Sequence, residues 1–337
     1  MDVETDSQSI FRQGGSLNHA AAERQVVAVL IPCYNEEATI ETVVRQFCEV
    51  LPDCTIYVYD NNSTDNTIAR ARAAGAIVRR ERLQGKGNVV RRMLADVDAD
   101  VYFMVDGDAT YDASAAPLML KLLNSEHLDM VNGTRITEIK EAYRPGHRLG
   151  NVVLTSLVRA TFGNGIADML SGYKVLSRRF VKSMPLLSSG FEIETEIAVH
   201  ALSLRMPIAE VPTVYRDRPA GSASKLNTYR DGIRILRTIV ILIKEERPLS
   251  FFAVLAACFA LLSLGLAVPI IATFVETGLV PRLPTAILSA VIMLLAVLSL
   301  TCGLILDTVT RGRKENKRIA YLSAGATARR FGPNPAS

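Results

Sequence analysis

Two long runs of uncharged, apolar residues constrain the fold of this chain more than any other feature. They cover Leu249–Val275 and Thr285–Leu306, and neither contains Asp, Glu, Lys or Arg. About 20 apolar residues in a helix are enough to cross the hydrocarbon core of a bilayer, roughly 30 Å thick. The connector between them, Glu276–Pro284, is short. We therefore predict two transmembrane helices that form a hairpin, rather than two buried core helices of a soluble protein.

The composition indicates a soluble part joined to this membrane part. The chain has 337 residues, of which 49% are hydrophobic and 21% charged, and a mean hydropathy of +0.21. A formal net charge of +4 is too balanced to indicate binding of nucleic acid. The five cysteines show no CxxC spacing, which argues against a zinc site, and they are too few for a disulfide scaffold. Residues 1–25 have no basic and apolar segments typical of a signal peptide and are predicted to be a flexible tail.

Basic residues flank the apolar runs and predict the orientation of the hairpin, because cytoplasmic loops are enriched in Lys and Arg. They are Arg230, Arg234, Arg237, Lys244 and Arg247 before the first run, and Arg311, Arg313, Lys314, Lys317 and Arg318 after the second; the connector has Arg282 alone. We expect a plasma (inner) membrane protein with its soluble domain and both termini in the cytoplasm. Residues 307–337 are then a basic cytoplasmic tail, flexible from Gly312 onward.

The segment before the hairpin has the pattern of an amphipathic helix. Within residues 228–248, Thr228–Glu246 repeats apolar residues at helical spacing and carries arginines on or beside the other face. Such a helix lies in the interface of a membrane or packs on the surface of the soluble domain, and the two placements are compatible.

The remaining 26–227 segment alternates strand and helix patterns, which predicts an α/β domain with a mostly parallel sheet. The predicted strands are Val26–Ile31, Ile56–Tyr59, Ala76–Val78, Val101–Val105 and Leu128–Val131. Ligands of such sheets bind at the carboxyl ends of the strands, so the residues that follow each strand are the candidates for a site.

Three of these strand-end loops carry polar residues. They read Pro-Cys-Tyr-Asn-Glu-Glu from Pro32, Asp-Asn-Asn-Ser from Asp60, and Asp-Gly-Asp from Asp106. The carboxylates of Asp106 and Asp108 predict a Mg²⁺ or Mn²⁺ ion that carries a diphosphate, although Asp-Gly-Asp is also a common turn. The Asp60 loop either binds a base or ribose or caps the next helix. Lys86 either meets a phosphate at a helix N-terminus or lies in a plain loop.

Together these motifs resemble a family 2 glycosyltransferase with the Rossmann-like GT-A fold, over about Val26–Leu306. The resemblance extends to Asn-Gly-Thr-Arg ending at Arg135, to Asp-Met-Leu-Ser-Gly-Tyr from Asp168, to Phe191–Glu194, and to Arg218 with Ser224-Lys225-Leu226. With the C-terminal hairpin, the chain is similar to the polyprenyl-phosphate glycosyltransferases, such as the dolichol-phosphate mannosyltransferase and bactoprenol glucosyltransferase types. Thr110 departs from the mannosyl pattern, which has Gln there.

The resemblance implies a metal-dependent, inverting transfer of a sugar from a UDP- or GDP-linked donor to a polyprenyl phosphate, for cell-envelope glycan or glycoconjugate assembly. It leaves open a family 2 enzyme that extends a glycan or another lipid acceptor, and association into a homo-oligomer. The implied residues are Pro32, Tyr34 and Glu36 for the nucleotide, Asp60 and Asn61 at its base, Asp106, Gly107 and Asp108 for metal and diphosphate, Arg135, Arg218 and Lys225 for phosphates, and Asp168 to orient the acceptor or act as base. Asp168, Arg135 and Asp108 are the predicted catalytic residues.

Overall fold

A computed structural model describes residues 25–136, 165–218 and 228–325, and these contain a seven-stranded sheet in the order β3-β2-β1-β4-β6-β5-β7. The strands are β1 (Val27–Cys33), β2 (Thr55–Asp60), β3 (Ile77–Arg80), β4 (Val101–Met104), β5 (Met130–Ile136), β6 (Lys174–Ser177) and β7 (Ile208–Val214). Neighbouring strands pair in parallel except at β6, which is antiparallel to both β4 and β5. The prediction of an α/β domain with a mostly parallel sheet is confirmed.

Helices cover both faces of this sheet and form two hydrophobic cores. The helices are α1 (Ile40–Val50), α2 (Thr67–Ala73), α3 (Lys86–Asp96), α4 (Ala116–Ser125), α5 (Arg178–Ser183), α6 (Ile193–Ser203), α7 (Thr228–Glu246), α8 (Pro248–Thr277) and α9 (Leu283–Ser323). Ile40 and Phe47 of α1 pack on one face, whereas Met93 of α3 and Ile197 of α6 pack on the other. β1 contributes to both cores, because alternate side chains of a strand point to opposite faces.

The two apolar runs form α8 and α9, which pack against each other along a seam of mostly small residues seven positions apart. The buried residues are Ala256, Ser263 and Ile270 in α8, and Ser289, Ala296, Gly303 and Thr310 in α9. A seven-residue repeat keeps one face of each helix against its partner. Outside the seam the helices expose large apolar side chains: only 6% of the most apolar stretch of α8 and 17% of that of α9 is buried. Both helices are long and apolar enough to cross a membrane, and they are not the buried core of the domain.

Helix α7 has two apolar stripes. Ile239 is buried and, with Leu242 and Ile243, packs against the core on the α6 side of the sheet. A second stripe is exposed, and its residues are Ile233, Leu236 and Val240. The helix is therefore packed on the domain and still presents an apolar surface.

The prediction of a flexible tail from Gly312 onward is wrong for residues 312–323, because α9 continues to Ser323 and lies against the domain. The ammonium groups of Lys314 and Lys317 form ion pairs with Glu246 at 3.4 and 2.8 Å. The guanidinium of Arg318 donates a hydrogen bond of 3.0 Å to the carbonyl of Leu204. Basic residues that were read only as an orientation signal thus also hold the helix to the domain.

Candidate active site

The three predicted strand-end loops contact one another at the carboxyl edge of the sheet. Because β2, β1 and β4 are neighbours, the residues after them meet at one place. The backbone N–H of Asn35 donates to the Ser63 hydroxyl at 2.9 Å, and that of Glu36 donates to the Thr67 hydroxyl at 2.8 Å. The Thr39 hydroxyl donates to the carbonyl of Gly107 at 2.7 Å.

Two glycines allow the loop of Asp106 and Asp108 to pack closely. A Cβ on Gly107 would lie 2.7 Å from the sulfur of Cys33, nearer than real Cβ contacts. A Cβ on Gly172, in the loop before β6, would collide with the carboxylate of Asp106. Gly172 therefore leaves the space that the Asp106 carboxylate occupies.

The residues predicted at the nucleotide base are held by hydrogen bonds within the protein. Asp60 is fully buried; its carboxylate accepts from the backbone N–H of Ser63 at 3.2 Å and forms an ion pair with Arg80 at 3.3 Å. The side chain of Asn61 donates to the carbonyls of Glu81 (3.0 Å) and Leu83 (2.8 Å), and accepts from Gly85 N–H at 2.7 Å. Asn61 thereby orders the loop between β3 and α3. Tyr34 is exposed, Pro32 is half-buried and Glu36 is buried at the end of β1.

Lys86, the first residue of α3, lies between two carboxylates. Its ammonium group is 2.5 Å from Oδ1 of Asp106 and 2.5 Å from Oε1 of Glu194. Burial alone would lower the pKa of Lys86, but the two carboxylates outweigh this effect and raise it above its ordinary value. Burial raises the pKa of Glu194, against the opposing effect of Lys86. The sequence does not decide whether Lys86 is a phosphate ligand or a plain loop residue. The structure places its ammonium group against Asp106.

Asp108 is also paired with a cation. Its Oδ1 accepts from the backbone N–H of Thr110 at 3.1 Å and from the Thr110 hydroxyl at 2.6 Å. Its Oδ2 lies 2.6 Å from the guanidinium of Arg218. Thr110 thus fixes the orientation of the Asp108 carboxylate, a function that the sequence did not predict.

Asp106 and Asp108 suit a divalent ion that is shared with a substrate. Within the described ranges, no group of three or more His, Cys, Asp or Glu side chains could hold a metal. The protein would supply these two carboxylates, and the other ligands would come from a diphosphate and water, as is usual for Mg²⁺. An all-oxygen donor set matches Mg²⁺ or Mn²⁺ rather than Zn²⁺.

Arg135 and Asp168 form a two-pronged ion pair beside this loop. Nε and Nη2 of Arg135 lie 2.7 and 2.8 Å from the two carboxylate oxygens of Asp168, and the backbone N–H of Arg135 donates to Oδ2 at 3.2 Å. The guanidinium also lies 5.6 Å from the ring centre of Tyr215. Burial would raise the pKa of Asp168, but the hydrogen bonds and charge of Arg135 hold it below its ordinary value.

Lys174 is a functional candidate that the sequence did not reveal. It is fully buried in β6, and its ammonium group donates to Oδ1 of Asn132 at 2.6 Å. Burial lowers the pKa of Lys174 to about 8, although the carboxylates of Asp168 and Glu194 oppose the shift. A lysine in a short strand pattern gives no sign of burial, so only the sheet pairing shows its position.

Comparison with known proteins assigns the domain to a family. The family model for glycosyl transferase family 2 matches residues 28–184. Glycosyltransferase AglJ of Haloferax volcanii is 33% identical over 303 residues, which cover 88% of this chain and 98% of AglJ. The chain belongs to glycosyl transferase family 2. The dolichyl-phosphate hexose transferase of the same organism is 30% identical over 221 residues, or 66% of this chain and 95% of that protein.

A solved structure supports the fold of this glycosyltransferase. Glucosyl-3-phosphoglycerate synthase from Mycobacterium tuberculosis, in complex with Mn²⁺, UDP and glucosyl-3-phosphoglycerate, aligns with a TM-score of 0.51 at 25% identity. The alignment covers 66% of this chain and 80% of the synthase. The predicted family and the GT-A fold are confirmed.

The glycosyltransferase domain brings most of the predicted site residues to one edge of its sheet. Around the Asp106–Asp108 loop lie Lys86, Arg135, Asp168 and Arg218, and on the β1–β2 side lie Pro32, Tyr34, Glu36, Asp60 and Asn61. Lys225 lies outside the described residues. The individual functions of these residues stay predictions.

Proposed function

We propose that this family 2 glycosyltransferase moves a sugar from a nucleotide-sugar to a polyprenyl phosphate at the cytoplasmic face of the membrane. One arrangement carries the proposal. The carboxylates of Asp106 and Asp108 lie beside the guanidinium groups of Arg135 and Arg218, and the domain that holds them is attached to an apolar helical hairpin. The Mn²⁺ and UDP bound to the mycobacterial synthase support the metal and donor. The name of the Haloferax dolichyl-phosphate hexose transferase supports a lipid phosphate as acceptor.

On the donor side, the protein's task is to neutralise and position a diphosphate. A divalent ion bound to Asp106 and Asp108 would stabilise the negative charge of the leaving nucleoside diphosphate. The ammonium group of Lys86 holds Oδ1 of Asp106 in place, and the hydroxyl of Thr110 holds Oδ1 of Asp108. Tyr34 and Asp60 lie at the ends of the two neighbouring strands, where the nucleoside would bind.

On the acceptor side, a phosphate monoester has a second pKa near 6 and is already a nucleophilic anion at pH 7. It needs positive charge and alignment more than it needs a general base. Arg135 and Arg218 supply that charge. Asp168 is ionised, and both of its carboxylate oxygens accept hydrogen bonds from the guanidinium of Arg135. Its function is therefore to orient Arg135. A single displacement by the phosphate oxygen at the anomeric carbon inverts its configuration.

The exposed stripe of α7 and the hairpin support a fixed position of the domain on the membrane. Ile233, Leu236 and Val240 point away from the domain, and Arg237 is exposed close to them. A helix with this arrangement binds the boundary between headgroups and acyl chains.

Single cysteines test the orientation of the hairpin, in a variant whose native cysteines are replaced by serine. A membrane-impermeant maleimide should label Leu279→Cys in intact cells and Asn316→Cys only after permeabilisation; the reverse pattern contradicts the proposed topology.

The proposed reaction is tested with membranes that contain the full chain. Labelled UDP- and GDP-sugars are added one at a time with a polyprenyl phosphate and Mn²⁺, and label that enters the organic phase is measured. We expect one donor to give signal, EDTA to remove it, and Asp108→Asn to reduce it by about 100-fold or more. Asp98→Asn is the matched control, since Asp98 lies at the opposite end of β4 and pairs with Arg178.

Two outcomes would contradict the proposal. Normal transfer by Asp108→Asn would exclude the metal site. Label that enters only a preformed glycolipid, and never a polyprenyl phosphate, would show that the enzyme extends a glycan instead.

A further inference from the structure

A short segment after β7 lies across the loop that carries Asp108. The backbone N–H of Arg216 donates to the carbonyl of Thr110 at 2.8 Å, and the Arg216 guanidinium forms an ion pair with Asp112 at 2.8 Å. One residue earlier, Tyr215 forms a β-bridge with Tyr111. We call Tyr215–Arg218 the strap. Its contacts hold the backbone two residues before Arg218 against the Asp108 loop.

The strap presents Arg218 to the one oxygen of Asp108 that Thr110 does not use. Oδ1 already accepts two hydrogen bonds from Thr110, whereas Oδ2 forms the 2.6 Å ion pair with Arg218. The Asp108 side chain is 5% exposed and the Arg218 side chain 28% exposed. A carboxylate so deeply buried requires a positive partner, and Arg218 provides it.

A divalent ion at Asp108 needs the same oxygen. Metal–oxygen distances near 2 Å leave no room for a guanidinium on the same lone pairs, and two cations at one carboxylate repel each other. Arg218 and the metal are therefore alternatives at Oδ2. Asp106 differs, because its Oδ1 contacts Lys86 while its Oδ2 faces Gly172.

We propose that Arg218 and the donor-bound metal compete for Asp108, so that binding of the metal and nucleotide-sugar releases Arg218 to bind the acceptor phosphate. This inference rests on the proposed function and adds an order to it. Before the donor binds, the arginine neutralises Asp108; afterwards the metal does so, and the arginine is available to a phosphate. The acceptor phosphate then binds tightly only to an enzyme that already holds its donor.

The competition is tested by measuring Mn²⁺ binding to the full chain in detergent, from the electron paramagnetic resonance signal of free Mn²⁺. We expect Arg218→Gln to bind Mn²⁺ about fivefold more tightly than the wild type, since its competitor is gone. Arg218→Lys keeps a competing charge and should stay within about twofold of the wild type. Arg92→Gln removes an exposed charge that pairs with Asp96 near the end of α3, outside the strap, and should also leave Mn²⁺ affinity unchanged.

A second measurement uses farnesyl phosphate as acceptor probe in calorimetric titrations. Mn²⁺ with UDP should tighten the binding of farnesyl phosphate to the wild type about fivefold, because coupling between two ligands is reciprocal. This gain should vanish in Arg218→Gln, which has no arginine to release. If Arg218→Gln binds Mn²⁺ no more tightly than the wild type, or if the gain persists in that variant, the competition is excluded while the proposed function stands. If the wild type binds no Mn²⁺ with or without UDP, both fail.

Discussion

The hydroxyl of Tyr321 donates a hydrogen bond of 2.7 Å to the buried carboxylate of Asp129, and so joins the end of α9 to the start of β5. The other oxygen of Asp129 accepts from the Ser177 hydroxyl at 2.6 Å, and the Arg179 guanidinium lies 5.2 Å from the Tyr321 ring centre. Tyr321 is fifteen residues beyond the apolar run, or about 22 Å along a helix. The last turns of α9 therefore act as a rigid spacer between hairpin and catalytic domain.

Tyr321→Phe removes only the hydroxyl of this contact. We expect a loss of about 1–2 kcal/mol in the free energy of unfolding, because a buried carboxylate loses one of its donors. Thermal and chemical unfolding of the detergent-solubilised chain would measure it. Leu322→Ala is the control on the same helix, since Leu322 is 73% exposed. Equal stability of the two variants would show that the contact does not hold α9 to the domain.

The hairpin contains a reciprocal hydrogen bond between its helices. The Ser263 hydroxyl donates to the carbonyl of Ser289 at 2.8 Å, and the Ser289 hydroxyl donates to that of Ser263 at 2.9 Å. Because each hydroxyl bonds to the backbone of the other helix, each single Ser→Ala change removes one bond and should lower the free energy of unfolding by about 1 kcal/mol, in the range for hydrogen bonds between membrane helices. Thr301→Ala is the control, since Thr301 bonds to its own helix at Val297. Losses for both serine variants no larger than that for Thr301→Ala would show that these hydrogen bonds do not hold the two helices together.

Asp168 should act through Arg135 and not as a titrating base. Its folded pKa lies below the ordinary value, so it is ionised at neutral pH and its stabilising pair is lost only as the pH falls through that lowered pKa. Asp168→Asn should lower kcat/KM about 100-fold because the guanidinium loses its fork partner, while the pH dependence of the rate between pH 5.5 and 8 keeps its shape. Asp98→Asn, which breaks a different Asp–Arg pair at the opposite end of β4, should retain activity. A rate profile that loses its acidic limb in Asp168→Asn would instead identify Asp168 as the base.

The sequence predicts the sheet and the edge that carries the site because buried parallel strands are continuous apolar runs. β1, β2 and β4 have this character, and the polar residues that follow them meet at the carboxyl edge of the sheet. The strand β6 was missed: Lys174–Ser177 is short, antiparallel and begins with a lysine.

Partners that are distant in the chain are the part that sequence patterns do not contain. Glu194 is 108 residues from Lys86, and their contact depends on how α6 packs beside α3. Asn61 has the right position for a base ligand, yet its amide orders the β3–α3 loop. Helical periodicity continues past Leu306, but the charges there were read as a membrane signal, and their contacts with Glu246 appear only in the folded chain.

The buried ammonium group of Lys174 should make stability depend on pH in the alkaline range. Its pKa falls from 10.5 to about 8 on folding. Between these values the unfolded chain binds the proton and the folded chain does not, so stability rises with pH across this window. Below pH 8 both states are protonated, and the cost of burying the charge is fully present. The change attributable to this one group is at most about 3 kcal/mol.

Lys174→Met tests this directly, because methionine has a similar length and does not titrate. Calorimetric unfolding from pH 7.5 to 10 should show the wild type gaining stability relative to Lys174→Met as the pH rises. Lys182→Met, at an exposed lysine of α5, should follow the wild type at every pH. Parallel curves for the wild type and Lys174→Met would mean that folding does not lower the pKa of this lysine.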